Sequence, residues 1–377
     1  MLHARSTIAA GAGFKLAQAA TIATRYSVVR EQGQGIGDGP EMPIIHYRSQ
    51  NFRLFTIIAR SYAVHFTRDT LEHLKKGLKH IASSHYYTSM GLDHVLLARF
   101  KAWNTQVASV GAEDGRKSCG GHGFVLTSGL PSIVAEATAP AIFEGENYVM
   151  YQQVGRYLLK CWDNLKLGKL IYSRMDILRE AFTQLQSIQG KQQCCRAFGT
   201  EFPNPDTQYA ILKHCAAADA FSYDLMEIIA AARACIELLV LQDFINGVES
   251  TSTTDAAIYA ALSRLRSLFA LTTITHPQSY DAISFVEDQH LNAKQMRDIR
   301  CCVSGLLDEL LPDAIALTDA SLRSAVGKYD GNMYETLMSW TRQMPINRGM
   351  ERAGGTCEVA WNTWIKPSLS PELRGKL

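Results

Sequence analysis

The chain has 377 residues, 47% of them hydrophobic, with Lys+Arg 38 against Asp+Glu 36 and a net charge of +2. That length can bury a large core and divide into two domains, while so even a charge gives no footing to a nucleic-acid or membrane-surface partner. Nine cysteines without a CxxC spacing and 11 histidines without an HxxxH or HxH spacing exclude the usual metal and dithiol sites. The thiols read as buried, in a reducing compartment.

In chain order, Arg5, Lys15, Arg25 and Arg30 precede the first acid, Glu31, among many Ala and Thr. Such a stretch has the composition of an organellar transit peptide, and equally that of a packed amphipathic helix. A glycine-rich loop follows at 31–43. Leu54, Phe55, Ile58, Tyr62 and Phe66 then recur at helical spacing, the stripe of a core-facing helix. Similar stripes run through 88–110, 147–165, 171–188, 208–242, 254–270 and 290–318, with loops expected at 111–123, 199–206 and 246–255. The longest apolar run, Leu225 to Leu241, is broken by Glu227, Arg233 and Glu237, so no membrane span is expected. Strand patterns are nearly absent. The expectation is an all-α chain of two helical bundles, 1–190 and 191–377, parted near 187–206.

Two short stretches interrupt this pattern. Gly120-Gly121-His122-Gly123 lacks the G-x-G-x-x-G spacing and the strand before it that a dinucleotide fingerprint requires. It is a structural turn, or a loop whose missing side chains let backbone N–H groups reach a ligand. Glu144-Gly145-Glu146-Asn147 puts two carboxylates before a helix, where the helix dipole favours them and where one could also act as a base. His122 has no base–nucleophile partner in view and reads as a packing residue.

These stretches also carry a resemblance. The run "SCGGHGFVLTSGLPSIVAEATAPAIFEGENYVM" (118–150) is similar to the signature of the peroxisomal acyl-CoA oxidases, flavoenzymes related to the acyl-CoA dehydrogenases. So are "TIATRYSVVREQ" (21–32), "YRSQNFRLFTIIARSYA" (47–63), "LTDASLRSAVGKYDGNMYE" (317–335) and "MPIN" (344–347), in family order. EGEN, where the dehydrogenases have EGT, tilts the resemblance toward an oxidase.

The resemblance implies the family's two C-terminal helical domains, with its N-terminal helical domain and β-domain absent, and it turns residues 4–31 into a core helix. It implies oxidation of fatty acyl-CoA to trans-2-enoyl-CoA with FAD, hydrogen peroxide being formed from molecular oxygen. Glu144 would be the base, and its backbone N–H would polarise the thioester. Glu146 would be a first-turn helix acid. Arg30 would approach the flavin pyrophosphate, Gln50 the adenine side, and Gly120 and Gly121 the flavin of a partner subunit. Arg5 would stand near the substrate's thioester end, although Leu2 replaces the acid expected three residues before it. Tyr148 stands where the family has Thr, and Gly33 where it has Phe. The expected assembly is a homodimer or a heterodimer with a full-length oxidase, and the alternative reading is a non-catalytic partner of such an oxidase. Gly375-Lys376-Leu377 resembles a peroxisomal import signal.

Overall fold

The computed structural model describes residues 2–34, 40–84, 90–169, 194–218, 225–251, 255–275 and 282–319. Helix α1 spans Leu2–Val29, α2 Arg48–Ser84 and α3 Met90–Ser118. Two short helices, α4 (Gly121–Phe124) and α5 (Leu130–Thr138), lead to α6 (Asn147–Lys166). Then come α7 (Pro205–Ala218), α8 (Leu225–Thr251), α9 (Ala256–Ile274), α10 (Ala282–Glu287) and α11 (Ala293–Leu310). The stripe at 171–188, the proposed bundle boundary at 190/191, the 344–347 motif and the last three residues lie outside the described residues.

Three expected loops carry regular structure over part of their described residues. Within 31–43, strands β1 (Glu31–Gln34) and β2 (Glu41–Pro43) pair antiparallel, Glu31 opposite Pro43. Backbone pairing does not need an apolar alternation, so the pattern gave no sign of it. Helix α3 runs through Gly111 and Gly115 to Ser118, and α8 runs through the polar 246–251 stretch. The two α3 glycines serve packing. A Cβ on Gly115 would lie 3.6 Å from the Ala19 carbonyl oxygen and 3.7 Å from Ala23 Cβ, so α1 and α3 approach backbone to backbone. Alanines at 9, 12, 19, 20 and 23 are buried on the α1 side. The acid-poor N-terminal stretch is therefore a core helix, built from the best helix-forming residue.

One apolar cluster joins Leu16 of α1, Phe55 of α2, Phe100 of α3, Leu158 of α6, Phe244 of α8, Phe269 of α9 and Leu307 of α11. Buried polar groups tie early to late sequence. Arg25, 3% exposed, donates to Thr318 Oγ1 at 3.1 Å and pairs with Asp319. Tyr62 donates to the Leu317 carbonyl at 3.0 Å. Cys119, Cys161 and Cys235 are buried as expected, but Cys194 and Cys301 are exposed. Among the described residues no helix is long and apolar enough to cross a membrane, and no group of three metal-ligating side chains forms.

Candidate active site

After α5, a 3-10 turn at Ala139–Ala141 reverses the chain, and the next residues form a tight, strained bend. Glu144 has φ 55° and Gly145 φ 108°. The left-handed region costs a residue with a Cβ on the order of 1–2 kcal/mol, so the bend needs outside support at Glu144. At φ 108° a side chain on Gly145 would be strained whatever the space, and its Cβ would also press on Met150 Cε at 2.5 Å. Glu146 then returns to an extended conformation and caps α6, its carboxylate accepting from the Tyr148 N–H at 2.8 Å.

The two carboxylates thus differ in kind. Glu146 is exposed and its oxygen is spent on the helix end. Glu144 is half-buried, and its Oε2 is shut from solvent with no hydrogen-bond partner among the described residues. Its own N–H likewise finds no acceptor among them. A desolvated carboxylate oxygen without a donor is a feature that folding alone does not favour.

Support for the bend comes from two helices. From α3, the fully buried Lys101 donates its ammonium to the Ala141 carbonyl at 3.0 Å, the Gly145 carbonyl at 2.5 Å and Asn147 Oδ1 at 3.0 Å. Thr105, one turn on, donates to the same Asn147 oxygen at 3.1 Å. From α1, Arg5 Nε donates to the Glu144 carbonyl at 3.1 Å, and Arg5 Nη1 lies 2.9 Å from His94 Nε2. Because a guanidinium only donates, His94 Nε2 accepts and its proton sits on Nδ1. Burial, then the Arg5 charge, pushes the His94 pKa down and keeps the ring neutral. Burial also brings the Lys101 pKa down to about 8, against the pull of Glu146, with a further push from Arg5 and a smaller opposing pull from Glu144.

Arg5 therefore touches the bend itself, with 3% of its surface exposed. Lys101, Thr105, His94 and Asn147 were not singled out by sequence reasoning. The available signal was a Lys in the run Leu96–Trp103, apolar but for Arg99 and Lys101, at a position whose helical phase faces the core.

The other candidates gather elsewhere. Gln50 Nε2 donates to Ser27 Oγ and to the Ser118 carbonyl, both at 2.9 Å, joining α2 to the ends of α1 and α3. Tyr26 Oη lies 3.0 Å from His122 Nδ1, with the rings 5.2 Å apart, which makes His122 the packing residue expected of it. Arg30, exposed, directly follows α1. Gly120 and Gly121 are exposed, with no heavy atom within 4 Å of an added Cβ, whereas a Cβ on Gly123 would collide with the Arg116 carbonyl. Gly33, where the family has Phe, has φ 77° and lies under the Tyr47 hydroxyl.

Two helices measure the distance between the groups. From Arg5 to Tyr26 along α1, and from Lys101 to Ser118 along α3, the rise of 1.5 Å per residue gives roughly 25–30 Å. The Glu144 bend and the glycine turn thus stand at opposite ends of the bundle. For an elongated ligand with phosphates, the open Gly120–Gly121 backbone and the exposed Arg30 fit the phosphate end. Gln50 is held by intramolecular bonds.

Residues 1–159 match the family model described as acyl-CoA oxidase, C-alpha1 domain, and residues 207–369 the model described as acyl-CoA oxidase. Peroxisomal acyl-coenzyme A oxidase 1 of Rattus norvegicus is 28% identical over 372 residues, which cover 92% of this chain and 55% of that protein. Its Cavia porcellus counterpart is 30% identical over 374 residues, with the same two shares. Among solved structures, acyl-CoA oxidase 1 of Arabidopsis thaliana superposes with a TM-score of 0.82 at 26% identity, over 100% of this chain and 58% of that one. Acyl-CoA oxidase-1 of Caenorhabditis elegans, complexed with FAD and ATP, gives 0.77 at 27% identity over 92% of this chain and 54% of that one. The chain spans a little over half the length of the relatives it matches.

Proposed function

Because this chain belongs to the acyl-CoA oxidase family, we propose that it supplies the base-bearing half of an FAD-dependent oxidase of fatty acyl-CoA, and that Glu144 is the base. The observation that carries this reading is the desolvated Oε2 of Glu144, without a hydrogen-bond partner among the described residues. A carboxylate meant to take an α-proton needs an oxygen free to meet it, and a neighbouring donor would occupy that oxygen. Glu144 would take that proton from the carbon next to the thioester as the double bond forms. Bound FAD would supply a hydride acceptor for the β-hydrogen and a route for the electrons to molecular oxygen, giving hydrogen peroxide.

The chain's own residues do the rest. Arg5 and Lys101 fix the bend, Glu146 anchors it to α6, and the Glu144 N–H is left to polarise the thioester carbonyl. Arg30, Gly120 and Gly121 would meet the phosphate-bearing half of a flavin. Their separation from Glu144 supports a flavin shared between two copies, since one bundle presents its base and its phosphate contacts at opposite ends. The peroxisomal names of the relatives support that compartment for this chain.

The test is to co-express the chain with the portion of the Arabidopsis enzyme that it does not match, and to follow peroxide formation from palmitoyl-CoA. Peroxide that disappears in Glu144→Gln supports the reading. Peroxide that needs the chain but survives Glu144→Gln removes Glu144 as the base.

A further inference from the structure

The bend at Glu144 has two consecutive carbonyls, and a buried cation caps each of them. Arg5 Nε takes the carbonyl of Glu144, and Lys101 Nζ takes that of Gly145. Lys101 also holds the residue on which the bend begins, Ala141, and the residue on which α6 begins, Asn147. An ammonium carries three N–H groups in a tetrahedral fan, and here three oxygens converge on it. None of the three is a carboxylate. A lysine buried in this way loses its hydration without a direct counter-ion, and is stable only while all three oxygens stay in place.

We propose that Lys101 is the positioning residue of the base: its three-point hold on Ala141, Gly145 and Asn147 keeps Glu144 in the left-handed conformation that leaves its carboxylate oxygen without a donor. The consequence for catalysis rests on Glu144 being the base, whereas the hold itself does not. Neither Arg5 nor Glu146 can replace it. Of the bend, Arg5 grips the Glu144 carbonyl alone among the described residues, and Glu146 orders α6 from the far side of Gly145. The groups facing Lys101 are Glu146, Glu144 and Arg5, and burial outweighs all of them in bringing its pKa to about 8.

The experiment is hydrogen exchange on the whole chain, read at the bonded amides of Ile142, Phe143, Tyr148 and Met150 and, as control, in α9 and α11. In Lys101→Met these four amides should exchange roughly 100-fold faster while the control helices are unchanged, the pattern of a local opening. Lys101→Arg keeps the charge but replaces the fan by a planar fork, and should not restore protection. If Lys101→Met does not fold, Asn147→Ala removes one of the three oxygens and should still speed the same four amides. In the assembled oxidase Lys101→Met should lower kcat on palmitoyl-CoA about 10–100-fold with KM little changed, because the substrate still binds but meets a misplaced base. Unchanged exchange at the four amides in Lys101→Met, or full protection in Lys101→Arg, overturns the proposal. Fast exchange in Lys101→Met together with an active Glu144→Gln upholds the hold and overturns the base.

Discussion

Glu144 and Glu146 are two positions apart and have the same side chain, yet the backbone gives them different work. Glu146→Ala should cost about 1 kcal/mol of stability through the lost cap of α6, and lower the assembled oxidase's rate only modestly. Glu144→Gln changes a half-buried side chain whose Oε2 has no hydrogen-bond partner among the described residues, so the melting temperature should change little while turnover falls by several decades. Equal effects of the two substitutions on rate would contradict the assignment.

Asp243 makes a second residue-scale case. Burial pushes its pKa up from 3.8 to about 6, against the Arg99 charge and a hydrogen bond from Thr70, with Asp69 adding a smaller push. The folded chain therefore holds this proton more tightly than the unfolded chain. Its contribution is present below about pH 4 and is lost as pH rises through about 6. Asp243→Asn keeps an acceptor for Thr70, and should flatten that fall and gain roughly 1–2 kcal/mol at pH 7. Thermal melts of both proteins between pH 4 and 8 measure it. Parallel melting curves would contradict the sign.

At the scale of elements, the glycine turn separates packing from ligand approach. Gly123 is buried against the Arg116 carbonyl at the end of α3, while Gly121 faces open space. Gly123→Val should therefore cost about 1–3 kcal/mol through overpacking. Gly121→Val should leave the melting temperature nearly unchanged and weaken flavin retention in the assembled oxidase, by blocking backbone approach. Flavin retention unchanged in Gly121→Val would return the turn to a purely structural role.

At the scale of the molecule, large apolar side chains are exposed beside both ends. Phe124 and Leu126, 78% and 76% exposed, flank the glycine turn, and Ile142 and Phe143, 65% and 56% exposed, precede Glu144. Apolar surface of this kind marks a contact with another chain or domain. By itself the chain should fold as a helical protein, self-associate in sedimentation and leave added FAD unbound at stoichiometric concentrations. Arg30, Gly120 and Gly121 offer too few contacts to offset the cost of immobilising so large a ligand. Phe124→Ser with Leu126→Ser should reduce the association without lowering the melting temperature. A stoichiometric yellow complex of the chain alone would overturn this expectation.

The helical stripes, an acid at the start of α6 (expected in its first turn and found one position earlier, as its N-cap) and the membership of the family were legible in the sequence. Each is a local matter of periodicity, of a side chain two or three residues from its partner, or of a motif. The β1–β2 hairpin and the full length of α3 were not, because backbone pairing and glycine-mediated helix contact depend on what lies opposite. Lys101 is the clearest case. In sequence it is a lysine interrupting an apolar stripe, 40 residues from Ala141 and 46 from Asn147. Only the packing of α3 against α6 brings those oxygens onto its ammonium. Charge, strain and burial at the Glu144 bend are set by groups distant in sequence, and for that reason the tertiary structure alone decided how the bend is held.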